Sequence, residues 1–205
     1  MNEDLSFEKV LNDSVNYLET LKQYGVEYFN LKKDSPKLLN YEIMTCSFCN
    51  KAKKIKPIKF SNLNIKLLFI VDMPKDFENQ RVFSSNERVM FRKIISAMNL
   101  RVDQVFVISA LKCQFLPEDV QAKKNDFLNL PCKNFLKRTI KFINPQCICF
   151  LGNSMFEIIN KDLNHIIEKY PVFSTHSLDT LDVQPDLKKE SWEVFKKIIA
   201  SLKSN

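Results

Sequence analysis

Three groups of residues in this chain have the types and spacing for chemistry. The first is a cysteine set. Cys46 and Cys49 form a CxxC pair, Cys113 follows an apolar run, and Cys132 follows Pro131. Thiolates bind soft metals, and CxxC spacing lets two sulfurs face one centre. Zinc sites more often show a second CxxC, whereas a pair plus two single cysteines also fits a [4Fe–4S] cluster. Core packing is the competing account of Cys113 and Cys132, because Cys132 stands four residues before Leu136 on an apolar face. Cys147 and Cys149 alternate within one apolar run and read as core.

The second group is Asp72, Ser109 and His176. Each comes at or directly after the end of a short apolar run. A carboxylate there can activate water, a histidine can stabilise a leaving group, and a short polar side chain can read a base edge. His165 lies in no motif and reads as a surface residue. The third group is the lysine run Lys51, Lys53, Lys54, Lys56 and Lys59, with Phe60 close behind. It is able to follow a phosphate backbone, although a solvated face gives the same pattern.

The elements that must position these groups follow from periodicity. Leu67–Val71 is an unbroken apolar run stopped by Asp72-Met73-Pro74, the pattern of a strand buried on both faces of a parallel sheet. Val105–Ile108, Cys147–Leu151 and Val172–Thr175 repeat it. In such sheets ligands bind outside the carboxyl ends of the strands. Helices are expected over Ser6–Tyr24, with Phe7, Val10, Leu11, Val15, Leu18 and Leu21 on one face and Gly25 as the stop. A capping box, Ser84 with Glu87, opens a helix that buries Phe91, Ile94, Ile95 and Met98. Pro131 starts another, lined by Leu136, Ile140 and Ile143. A short helix covers Ser154–Asn160. The last, about Leu187–Leu202, buries Phe195, Ile198, Ile199 and Leu202 and exposes Lys188, Lys189, Lys196 and Lys197. Residues 30–40 and 114–129 read as connections. Strands alternate with helices, so the class is α/β with a mostly parallel four-stranded sheet. Residues 1–40 are expected to be a helical preface packed on a main body of residues 41–205.

Composition narrows the functional classes. The 205 residues suit a sizeable core, and 45% hydrophobic with 27% charged is ordinary for a globular protein. No apolar run approaches membrane-spanning length. Met1-Asn-Glu-Asp-Leu-Ser6 is acidic and polar, unlike a signal or transit peptide, so the cytoplasm is the expected location. Disulfides are not expected among the six cysteines. The net charge of +7 is compatible with a polyanion such as nucleic acid. With only two glycines, the chain has few places for a tight phosphate loop.

Taken together, the phrases resemble the family 4 uracil-DNA glycosylases, the iron–sulfur branch of their superfamily. The likeness runs from about residue 15 to the end. It rests on Leu18-Glu-Thr-Leu-Lys-Gln-Tyr-Gly-Val26, the Cys46/Cys49 pair, Leu111-Lys-Cys113 and Pro131-Cys-Lys-Asn-Phe-Leu136. Phe150-Leu-Gly152, Ser174-Thr-His176 and Gln184-Pro-Asp-Leu-Lys-Lys-Glu-Ser-Trp192 complete it. The resemblance implies a three-layer α/β/α uracil-DNA glycosylase-like fold, a cluster held by Cys46, Cys49, Cys113 and Cys132, DNA as partner, and a monomer. It implies cleavage of the glycosidic bond of a flipped base, with Asp72 and His176 as the catalytic pair and Phe83 stacking on the base.

The chain departs from the family in its catalytic motifs. Where family members carry Gly-Glu-x-Pro-Gly, this chain has Val71-Asp-Met-Pro-Lys75, so the acid is shorter and both glycines are replaced. Met73 and Pro74 then border the base. Ser109 stands where the family's Asn pairs with uracil, and one hydroxyl offers less than an amide's donor and acceptor together. His-Pro-Ser becomes His176-Ser-Leu178. These departures imply an altered pocket: a divergent glycosylase, a cluster-bearing DNA-binding relative without catalysis, or a protein-interaction scaffold.

Overall fold

The computed structural model describes residues 7–24, 34–49, 58–60, 64–76, 81–113, 115, 117–162 and 168–204. The chain forms two compact units, Met1–Ser35 and Pro36–Asn205. In the first, α1 spans Phe7–Gln23. Val15, expected on its inner face, is 47% exposed. Gly25 lies outside the described residues.

The second unit is built on four strands: β1 Leu67–Val71, β2 Val105–Ser109, β3 Cys147–Leu151 and β4 Val172–Thr175. All pair in parallel, in the order β2-β1-β3-β4. Every residue of β1 and β3 is buried, as unbroken apolar runs require of central strands covered on both faces.

Alternate residues of each strand feed separate cores. Leu68 and Ile70 of β1 join Ile148 and Phe150 of β3 against α5 (Pro131–Ile143) and α6 (Asn153–Asp162). Leu67, Phe69 and Val71 join Cys147 and Cys149 against α3 (Ser85–Ala97), α7 (Leu178–Val183) and α8 (Leu187–Ser204). This second unit is therefore a three-layer α/β/α sandwich. The chain moves outward from β1 to β2 by way of α3. It returns to β3 and goes on to β4 by way of helices on the opposite face. One handedness of crossover produces this change of face when the direction of travel reverses.

The capping box forms: Glu87 N donates to Ser84 Oγ at 3.3 Å, and Ser84 N donates to Glu87 Oε2 at 2.9 Å. Helix α5 has the Pro start expected of it and ends at Asn144, which takes a left-handed conformation at φ 45°.

Two stretches read as connections contain helices. Within residues 30–40, α2 (Pro36–Thr45) begins at a proline and buries Leu39 and Ile43, a spacing of four, against Phe135 of α5. Arg138 of α5 pairs with Glu42 of α2. Within 114–129, α4 spans Pro117–Asn125 and a 3₁₀ turn spans Phe127–Asn129. The sequence PEDVQAKKN carries no apolar stripe, so periodicity does not reveal it. The six-residue α7 was not anticipated either; its Leu178 and Leu181 are buried at a spacing of three.

Candidate active site

The last residues of the four strands lie in one row, because Val71 pairs with both Ser109 and Leu151, and Leu151 pairs with Thr175. The next residue of β1, β3 and β4 is Asp72, Gly152 and His176 respectively. The chain reverses its direction of travel between β1 and β3, and the crevice above such a switch point is where open α/β sheets bind ligands. A cavity of about 470 Å³ lies there. Val71, Asp72, Met73, Lys75, Phe83, Glu87, Lys124, Ser154, His176 and Asp179 are among its lining.

Backbone bonds fix the cavity floor. Ala110 N donates to Val71 O at 2.8 Å, Leu111 N to Asp72 O at 2.9 Å, and Gly152 N to Thr175 O at 2.9 Å. The chain after Asp72 turns back on itself through the Asp76–Arg81 bridge. Arg88 holds that return by donating to Asp76 Oδ2 at 2.8 Å and Phe83 O at 3.1 Å. Phe83 is thereby fixed at the cavity wall, 4.8 Å from Phe91 between ring centroids.

Asp72 is paired. Lys124, from the last turn of α4, forms an ion pair with Asp72 Oδ2. Ser154 Oγ donates to the same oxygen at 3.3 Å, and Lys124 Nζ donates to Ser154 Oγ at 3.3 Å. Asp72 Oδ1 is buried without a hydrogen-bond partner. His176 Nε2 lies 3.2 Å from Oε2 of the exposed Glu190.

Lys75 lines the cavity between two carboxylates. Its Nζ lies 2.7 Å from Glu87 Oε1 and 3.1 Å from Asp179 Oδ2. Burial alone would lower its pKa, but Glu87 and Asp179 together raise it above the ordinary lysine value. Burial likewise opposes the charge on Asp179. The Ser177 hydroxyl and the Lys75 ammonium outweigh that and lower its pKa.

Ser109 and Pro74 fall outside the cavity lining. Ser109 is fully buried, its carbonyl accepts from Lys112 Nζ, and its Oγ has no partner. His165 and Lys51, Lys53, Lys54 and Lys56 lie outside the described residues, while Lys59 is exposed. Lys124, Ser154, Glu87 and Asp179 were not singled out as site residues by the sequence. The Pro117-Glu-Asp start, with Lys123-Lys124 seven residues on, was the available sign of a helix carrying Lys124.

Three members of the cysteine set pack on or beside α5. Cys132 is buried in the α5 core, Cys49 packs against that core, and Cys46 packs beside Leu39 and Ile43. All six cysteines are free thiols. Burial raises the Cys132 thiol. The Lys112 backbone N–H and ammonium oppose this, and Cys49 and Cys46 add to it. Burial also raises Cys49, which feels Lys123, Cys46 and Asp126. Three of the four thiols therefore sense one another. Among the described residues, no three His, Cys, Asp or Glu side chains are arranged to grip one metal ion. Cys147 and Cys149 are fully buried core, as their alternation requires.

Fold and pocket together define a three-layer α/β/α protein whose site sits at the switch point of a parallel sheet. The chain belongs to the uracil DNA glycosylase superfamily, whose family profile matches residues 58–203. No curated protein matches the chain. Among the described residues, no helix is long and apolar enough to cross a membrane.

Proposed function

We propose that this chain is a DNA glycosylase of the iron–sulfur type with a remodelled base pocket. It flips a damaged base out of DNA and hydrolyses the bond between base and sugar. The observation that carries this reading is the cavity at the switch point, lined by Asp72, Phe83 and His176 together. Phe83 offers a ring face for the base. Asp72 stabilises positive charge developing on the sugar or orients water, and His176 stabilises negative charge on the departing base. Met73 borders the same space. With Lys75 and Glu87 in the cavity, uracil is not the expected preferred substrate. A panel of oligonucleotides carrying uracil, hypoxanthine and other altered bases tests this. Abasic-site formation that disappears in Asp72→Ala and His176→Ala supports the reading, and intact oligonucleotides throughout sink it.

A second reading, DNA binding without cleavage, is favoured by the ion pair of Asp72 with Lys124, which occupies the carboxylate expected to act on water. It requires salt-sensitive DNA binding that weakens when Lys51, Lys53 and Lys54 are neutralised.

Cys46, Cys49, Cys113 and Cys132 would hold a [4Fe–4S] cluster, with zinc the alternative. The support is a donor set of thiols of which three share one electrostatic neighbourhood, beside the buried Lys112 cation. When bound, such a cluster supplies a structural tie between the end of α2, the exit of β2 and the start of α5. Brown protein with iron and sulfide, bleached by Cys46→Ser, supports it. Colourless protein holding stoichiometric zinc would exclude it.

A further inference from the structure

We propose that Lys124 is an amine nucleophile that captures abasic DNA, giving this protein a strand-cleaving lyase activity beside base removal. The inference rests on the glycosylase reading for what enters the cavity. Its own footing is the position of Lys124. The side chain is only 14% exposed, it lines the cavity, and its Nζ contacts Asp72 Oδ2 and Ser154 Oγ. A carboxylate that stabilises a sugar at C1′ brings any amine paired with it to the same carbon. An ion pair favours the ammonium form, so Schiff-base formation with a carbonyl carbon requires a neighbouring group to act as general base once the sugar is bound. Here Asp72 is that group. Lys75, the other cavity lysine, is held instead between Glu87 and Asp179.

The steps balance without an added oxidant or reductant. Asp72 takes a proton from the Lys124 ammonium, and the free amine adds to the C1′ aldehyde of the ring-opened abasic sugar. Asp72 returns its proton to the new hydroxyl, which leaves as water, and a protonated imine remains. Asp72 then removes a proton from C2′. This gives an enamine. The nitrogen lone pair then re-forms the C1′ imine, and the C1′–C2′ pair becomes the C2′–C3′ double bond. The C3′–O bond breaks to release the 3′ phosphate, and Asp72 gives its proton to water. Water hydrolyses the imine, returning the Lys124 ammonium and an unsaturated aldehyde. Ser154 bonds both partners and keeps the pair aligned.

The test uses the full chain, purified without chelators, and an oligonucleotide that already contains an abasic site. Sodium borohydride reduces an imine to a stable amine and fixes protein to DNA. We expect a covalent adduct with borohydride, strand cleavage without it, and an adduct on the peptide containing Lys124. Lys124→Arg keeps the charge beside Asp72 but is no nucleophile, so trapping should fall at least about tenfold. Peptide mapping of the wild-type adduct decides the question should that variant fail to fold. No wild-type adduct, or an adduct on another amine, overturns the proposal. A protein that traps abasic DNA but leaves every altered base in place overturns only the glycosylase reading.

Discussion

Gly152 and Asp72 touch across the sheet: a Cβ built on Gly152 would lie 3.0 Å from Asp72 Oδ1. The two residues follow neighbouring strands, so neither can move far from the other. Gly152 also has φ 123°, where side chains are rarely accommodated. One of the chain's two glycines is therefore spent on letting a carboxylate stand at the switch point. Gly152→Ala should cost about 1–3 kcal/mol from backbone strain, with further loss from crowding. Urea melts would measure that cost. Base removal should fall more than stability does, because Asp72 is what must shift.

The Asp72–Lys124 pair is mostly buried, with side chains 20% and 14% exposed. Asp72→Asn leaves the lysine charge without its counter-ion, and we expect a loss of about 1–3 kcal/mol. Lys124→Met in the Asp72→Asn background should restore part of it. A double-mutant cycle by denaturant melts measures the coupling; additive losses would show that the pair does not bind the loop to α4.

Lys75 gives the protein a stability plateau with two edges. Its pKa is raised, so its contribution is whole below the ordinary lysine value of 10.5 and is lost as pH rises through the folded value above it. The Asp179 pKa is lowered, so its contribution is whole above 3.8 and is lost as pH falls through the folded value below it. Asp179 is 60% exposed, so solvent and salt screen its share. The melting temperature of wild type minus Lys75→Met should be flat between those limits and shrink outside both. At mid-range the corresponding stability difference should be about 1–3 kcal/mol, because Glu87 is left buried without its counter-ion.

Cys147 and Cys149 should resist thiol reagents in the native protein. Burial pushes Cys147 up to about 12 and raises Cys149 well above the ordinary thiol value. Thiolate is the reactive form, so little is present near neutrality. Labelling followed by mass analysis should find both modified only after denaturation.

The buried framework was legible and the charged wall of the cavity was not. Leu67–Val71 and Cys147–Leu151 announce themselves because a strand covered on both faces must be apolar throughout. The same runs place Asp72 and His176 at one edge. Helix α4 escaped because it carries no apolar stripe, and Lys124 escaped with it. Lys75 was visible as a side chain replacing glycine. Its partner Asp179 was not, because α7 is too short for periodicity to register. Ser109, at the end of β2, is fully buried and does not line the cavity.

The order β2-β1-β3-β4 also fixes when the cavity can exist. Asp72, Phe83, Lys124, Ser154 and His176 come from segments spread over more than half the chain, and every strand pair that gathers them joins distant stretches of sequence. Non-local pairing of this kind pays its loop-closure cost before contacts repay it, so it forms late and cooperatively. The fraction of molecules that hold a complete cavity is then a direct count of those that have finished folding.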